Sequence, residues 1–307
     1  MIKSIHKNYQ AFYDMLIVTT ALSNNPSPEF DKDAHKIIDF IGQAYGLNDE
    51  LIKYIQKAIT DELVSISTKD DVSAFINSHS YEAETEEIDS LLMAKCDALT
   101  VVESLGEVKN VNLNPDWFNY SHYKPYYPII RYRQLALAAS TGNPIANKVV
   151  AILSYLGIGV DKSDALVESA IYRLRQCVVW GDVPAIYMLK HIYQVKGKKE
   201  EEKLFAELIK LVPYMNEGRT VLPKEVADKV DKKVLELFAI ISSIKQDVVI
   251  NEGRIYIDYS FAEVMLSEDV SYHDKLAFIN RYRYQEWKEA TNSSYDESKQ
   301  IGFKIGD

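Results

Sequence analysis

Ala138-Ala139-Ser140-Thr141-Gly142-Asn143-Pro144-Ile145-Ala146, continued by Val150-Ala151, Tyr155 and Gly157-Ile158-Gly159-Val160, is the stretch from which the fold is read. Gly142 ends one helix, and Ala146, Val150 and Leu153 place a narrow apolar face on the next. Alanine at the contact lets two helices approach near the lower end of the usual 8–10 Å axial separation. Gly157 and Gly159 permit a tight loop with positive φ, and Asp161 or Ser163 can cap the helix that follows. Gly142, Ala146 and Val150 recur as Gly181, Ala185 and Leu189, each displaced by 39 residues. A fixed period of this size is the mark of stacked helical hairpins.

With those offsets in place, the segment resembles the Sel-one-like repeats, a branch of the tetratricopeptide superfamily. Gly142, Ala146, Val150, Gly157, Gly159 and Val160 fall on the family pattern, and Ala138-Ala139 match the paired alanines that close its repeat. Tyr155 sits one residue late, and Asp161 and Asp164 flank the acidic position. The second copy keeps Gly181, Ala185, Leu189 and Tyr193 but retains only Gly197 of the loop. The likeness spans residues 127–197, and it implies a short solenoid acting as a scaffold or adaptor for a protein or peptide partner. Two copies are few for such a stack, so the hairpins around 82–135 and 199–246 are expected to cap it.

Outward from this core, 307 residues allow two or three domains. Apolar residues make up 47% and charged residues 26%, which excludes disordered and fibrous classes. Glycine (12) and proline (9) are too sparse for a turn-rich β-sandwich. Cys96 and Cys177 allow at most one bridge and lie in no metal-binding spacing, so neither a disulfide scaffold nor a cofactor is expected. The apolar runs are far below the ~20 residues that span a bilayer, and no signal peptide is recognisable, so the expectation is a cytoplasmic protein without a membrane partner. Residues 1–126 hold 10 Lys/Arg against 20 Asp/Glu and carry the whole net charge of −10, while residues 127–307 balance at 25 against 25.

The reading along the chain is therefore mostly α, in four parts. Residues 1–106 form an acidic helical domain, with apolar stripes such as Ile37, Ile38, Ile41 and Leu51, Ile52, Ile55. Residues 107–126 form an aromatic, proline-punctuated connector. Residues 127–246 hold the helical repeats and their caps. Residues 247–307 carry a small β-hairpin, Val248-Val249-Ile250 against Ile255-Tyr256-Ile257, and a final helix from about Ser271.

Candidate binding residues come from two groups. Arg131 and Arg133, with Arg173 and Arg175, stand at similar places in successive repeats, and four guanidiniums on one face would fork onto carboxylates or phosphates. Trp117, Tyr123, Tyr126 and Tyr127 in the connector are of the types that dominate interface hot spots. On this reading the chain is a non-catalytic protein-interaction scaffold, with the contact on the helices of residues 127–180. Alanine replacement of the four arginines would then spare stability. One alternative is a nucleic-acid or anionic-ligand module using the arginine pairs, which an acidic chain disfavours without excluding it. A second is a hydrolase or nuclease assembled across domains. The loop Gly157–Ser163 lacks the spacing of a phosphate loop, the six histidines are scattered, and no nucleophile elbow is present.

Overall fold

The computed structural model describes residues 8–23, 27–63, seven positions between 94 and 105, 126, 128–140, 143–179, 181–214, 221–247 and 304–306. Most described residues are helical, and the only strand pairing among them is parallel, between Val221–Pro223 and Lys304–Gly306. The mostly-α expectation holds. The expected β-hairpin at 248–259, the final helix and the connector at 107–125 lie outside the described residues. No described helix is long and apolar enough to cross a membrane. The chain divides into two compact units, 1–174 and 175–307.

In the first unit, α1 (Tyr9–Leu22) is exposed at Tyr9 and Gln10 and buried without a break from Asp14 to Leu22. Over that run the helix has no solvent face and must lie inside a bundle. Helix α2 (Pro28–Ala44) starts where Ser27 accepts a hydrogen bond from the Phe30 N–H at 3.1 Å, with Pro28 in its first turn. Helix α3 (Asp49–Lys57) begins likewise at Asn48, which accepts from the Leu51 N–H at 2.8 Å, and continues into a π-helical turn, Ala58–Leu63. Gly42 lets α2 and α3 touch, since a Cβ there would lie 2.7 Å from Ile52 Cγ1. Ala94, Lys95, Ala98, Leu99, Val102 and Leu105 are helical and buried, the spacing of one helix face.

Helices α4 (Pro128–Ser140) and α5 (Pro144–Leu156) pack as the hairpin foreseen around Ala138 and Ala146. Asn143 caps α5 by accepting from the Ala146 N–H at 3.0 Å, and Asn147 donates to the Ala139 carbonyl at 3.1 Å. Gly157 ends α5 with φ 70°, where the Ile158 N–H reaches the Leu153 carbonyl at 2.9 Å. That is a Schellman closure, and it requires the left-handed conformation. Gly159 has a second reason to be glycine. Its φ is 71°, and a Cβ would run into the Pro128 carbonyl and come within 2.8 Å of Tyr132 Cβ at the start of α4. Tyr132 and Ser154 share a 2.8 Å hydrogen bond across the same hairpin.

Helices α1 and α2 lie against this hairpin, α1 on α4 and α5 and α2 on α5. Phe40 of α2 meets Tyr155 of α5 with ring centroids 5.1 Å apart. Neither α1 nor α2 carries the Gly/Ala signature of the repeat, so the sequence did not point to them as the hairpin's neighbours. Helix α6 (Asp164–Val179) starts at Ser163, whose Oγ accepts from the Leu166 N–H at 3.3 Å, and it runs across the division at Leu174.

The second unit contains the last turn of α6, then α7 (Val183–Val195), α8 (Lys199–Leu211), a 3-10 turn (Val212–Tyr214), the single turn α9 (Lys224–Ala227) and α10 (Lys232–Asp247). Asp182 caps α7 by accepting from the Ala185 N–H at 3.0 Å. Helices α7 and α8 pack through Tyr193 stacked on Phe205 at 5.7 Å, and α10 adds Val234, Phe238 and Ile241 to the core beside α8. Helices α5 and α7 are both 13 residues long, with caps 39 residues apart. Ala146 and Ala185, Val150 and Leu189, and Leu153 and Ile192 are all at most 1% exposed.

The loop geometry separates two kinds of glycine substitution. Gly46 has φ 69° with open space around it, so Gly46→Ala carries only backbone strain, about 1 kcal/mol. Gly159→Ala adds a collision with backbone and should cost about 3 kcal/mol or more in urea denaturation.

Candidate interaction surface

Several positions of α4 and α6 that are 39 residues apart share the same exposure. Leu135 and Leu174, Ala138 and Cys177, and Ala139 and Val178 are buried in pairs. Ile129 and Glu168, and Arg133 and Tyr172, are exposed in pairs. Ile129 (44% exposed) and Tyr172 (36%) are two of the four large apolar side chains left open among the described residues. All four exposed positions belong to the first unit.

The arginine pairs stand 42 residues apart and therefore miss this step by three, close to one helical turn. Their surroundings differ accordingly. Arg131 donates from Nε to the Ala21 carbonyl at the end of α1 and from Nη1 to Gln134 Oε1 at 3.1 Å. Burial holds its guanidinium below the usual arginine range. Arg173 donates to Asn147 Oδ1 on α5. Arg175, in the second unit, donates from Nε to the Tyr193 hydroxyl at 2.8 Å and lies 5.6 Å from that ring's centre. Arg133 alone of the four is exposed.

Thus three of the four arginines satisfy groups inside their own unit. An arginine forked into a buried partner contributes packing and hydrogen bonding, and its loss leaves that partner unpaired. The four do not form one outward guanidinium cluster.

Of the connector aromatics, Trp117, Tyr123 and Tyr127 lie outside the described residues. Tyr126 is 7% exposed; its hydroxyl donates to Asp33 Oδ2 at 3.0 Å, and its ring meets Phe30 edge-on at 5.6 Å. Burial first, and then the Asp33 carboxylate, push its hydroxyl pKa well up. Tyr126 therefore anchors the end of the connector onto α2.

Ile129 and Tyr172 belong to no charged cluster in the sequence, and only register relates them to Glu168 and Arg133. Applying the 39-residue step to α4 as well as α5 would have paired Arg133 with Tyr172 in the sequence itself.

Two other features bear on chemistry. Lys95 is 3% exposed and donates to Thr20 Oγ1 of α1 at 2.8 Å, and burial lowers its pKa to about 8. In the second unit, a groove of about 320 Å³ is lined by Leu211, Val226 and Val230 together with Glu207, Lys210, Glu225 and Lys229. Two carboxylates and two ammoniums leave it with no preference for either sign of charge. Among the described residues, no group of three His, Cys, Asp or Glu side chains is placed to hold a metal ion. With this geometry in view, neither family models, nor curated proteins, nor solved structures match the chain.

Arg173→Ala and Arg131→Ala should each lower stability by about 1–3 kcal/mol in urea denaturation, because each strands a buried partner. Arg133→Ala, on an exposed face, should stay within about 0.5 kcal/mol of the parent.

Lys95 sets a pH dependence of definite sign. Its folded pKa lies below the ordinary value of 10.5, so the cost of burying its charge is fully present below pH 8 and is relieved between pH 8 and 10.5. Raising pH from 7 to 9.5 should stabilise the parent by about 2 kcal/mol relative to Lys95→Met. Equal pH profiles for the two proteins would show that Lys95 is ordinarily charged in the fold.

Proposed function

We propose that the chain is a non-catalytic scaffold of Sel-one-like helical hairpins that captures a protein or peptide partner on the outward face of α4 and α6. The observation that carries this reading is the exposure of Ile129, Arg133, Glu168 and Tyr172 at positions 39 residues apart on α4 and α6. An apolar side chain, an aromatic ring, a guanidinium and a carboxylate together supply apolar anchors with a polar setting, the usual makeup of a protein contact. The Gly/Ala spacing, with side-chain N-caps at Asn143 and Asp182 and a shared buried stripe at Ala146/Ala185, Val150/Leu189 and Leu153/Ile192, supports the repeat reading.

The anionic-ligand alternative loses support from the arginines, since three of them are committed within their own units. A scaffold working through an apolar and aromatic face would bind with little salt dependence, whereas phosphate recognition loses affinity steeply as salt rises.

The test is affinity capture from the native cell with the full chain and with a variant carrying Ile129→Ser, Arg133→Ala and Tyr172→Ala. These are surface positions, so the variant should melt within a few degrees of the parent. The expected result is a partner retained by the parent at about 0.3 M salt and lost from the variant. Equal recovery by both proteins, or release of nucleic acid as the captured species, would overturn the reading.

A further inference from the structure

A buried ion pair inside the first unit joins two helices whose buried faces are mostly apolar. Asp14 on α1 is 0% exposed and accepts from Lys148 Nζ on α5 at 3.0 Å, while the Tyr45 hydroxyl at the end of α2 donates to its other oxygen at 3.2 Å. One carboxylate thereby joins three helices whose residues are up to 134 positions apart. Helix α1 is buried over nine consecutive residues, 14 to 22, and α5 over another nine, 146 to 154.

A helix buried on every side presents much the same greasy surface whichever way it is turned. Hydrophobic burial is non-directional and fixes neither the rotation of such a helix nor its axial position. A charged pair does, because any slip leaves an uncompensated charge in the core. Lys148 also marks a departure between the two copies, for the residue 39 positions on is Tyr187, which is half-buried. The copy that receives α1 carries the lysine.

We propose that the Asp14–Lys148 pair is a register lock, which selects the one seating of α1 on the α4–α5 hairpin and so makes the N-terminal helices and the hairpin a single unit. The lock acts on uniqueness of packing more than on stability. Replacing a buried ion pair with apolar groups of similar volume is often neutral or stabilising, whereas removing one partner is strongly destabilising. A second contact lies on a different side of α1. Thr20, roughly 120° around the helix from Asp14, receives Lys95. Together the two contacts give α1 a defined orientation within an apolar surround.

Two full-length variants test the lock, Lys148→Met and the double variant Asp14→Leu with Lys148→Met. Each is read by melting temperature, by amide hydrogen exchange in α1 and α5, and by near-ultraviolet circular dichroism. The single variant strands the Asp14 carboxylate and should lower the melting temperature by about 10 °C. The double variant should recover to within a few degrees of the parent, yet lose about tenfold or more of its amide protection in α1 and α5 and part of its aromatic dichroism. Parent-like protection in the double variant would show that packing alone chooses the register. A double variant that melts as low as the single one, or fails to fold, would make the pair a stability element and overturn the lock. A single variant that melts like the parent would overturn it as well.

Discussion

The Asp14 carboxylate at the middle of the first unit constrains everything around it. It sits where α1 has no solvent face, holds Lys148 of α5 at 3.0 Å and takes the Tyr45 hydroxyl at 3.2 Å. A buried charge tolerates no vacancy among its partners, so three helices distant in sequence have to arrive together. The other cross-links of this unit are consistent with the same seating. Arg131 reaches the carbonyl end of α1, Lys95 meets Thr20, and Phe40 covers Tyr155. In each case α1 or α5 is tied to an element distant from it in sequence.

This arrangement shifts the meaning of the charged residues. Arg131, Arg173 and Arg175, which look like part of an outward recognition cluster in the sequence, are hydrogen-bonded within their own units. Arg131 and Arg173 reach backbone and amide acceptors on α1 and α5, and Arg175 lies over Tyr193, which in turn stacks on Phe205. Ile129 and Tyr172 are the apolar side chains that α4 and α6 leave most open.

The loop at Gly157–Gly159 shows how local chemistry and packing share the work. Gly157 answers a local demand, the left-handed turn that closes α5. Gly159 answers a tertiary one as well, because the start of α4 passes where a side chain would be. The same two letters in the sequence thus report different constraints, and only the second depends on another helix.

The helices themselves were legible in the sequence. Ser27, Asn48, Asn143, Ser163 and Asp182 act within one turn of their own position, so caps and stops can be read without knowing the fold. The 39-residue spacing of Asn143 and Asp182 was legible for the same reason, since each caps its own helix locally. The seating of α1 and α2 against the hairpin was not legible. Their apolar surfaces specify burial but not a neighbour, and the Asp14–Lys148 pairing spans 134 residues with no spacing rule to announce it. The candidate surface falls between these cases. Its positions follow from the period, but which arginines turn inward was settled by the carbonyl, amide and hydroxyl acceptors that tertiary packing brought within reach. Short-range hydrogen bonding wrote the elements into the sequence, while the desolvation of a few charges decided how they meet.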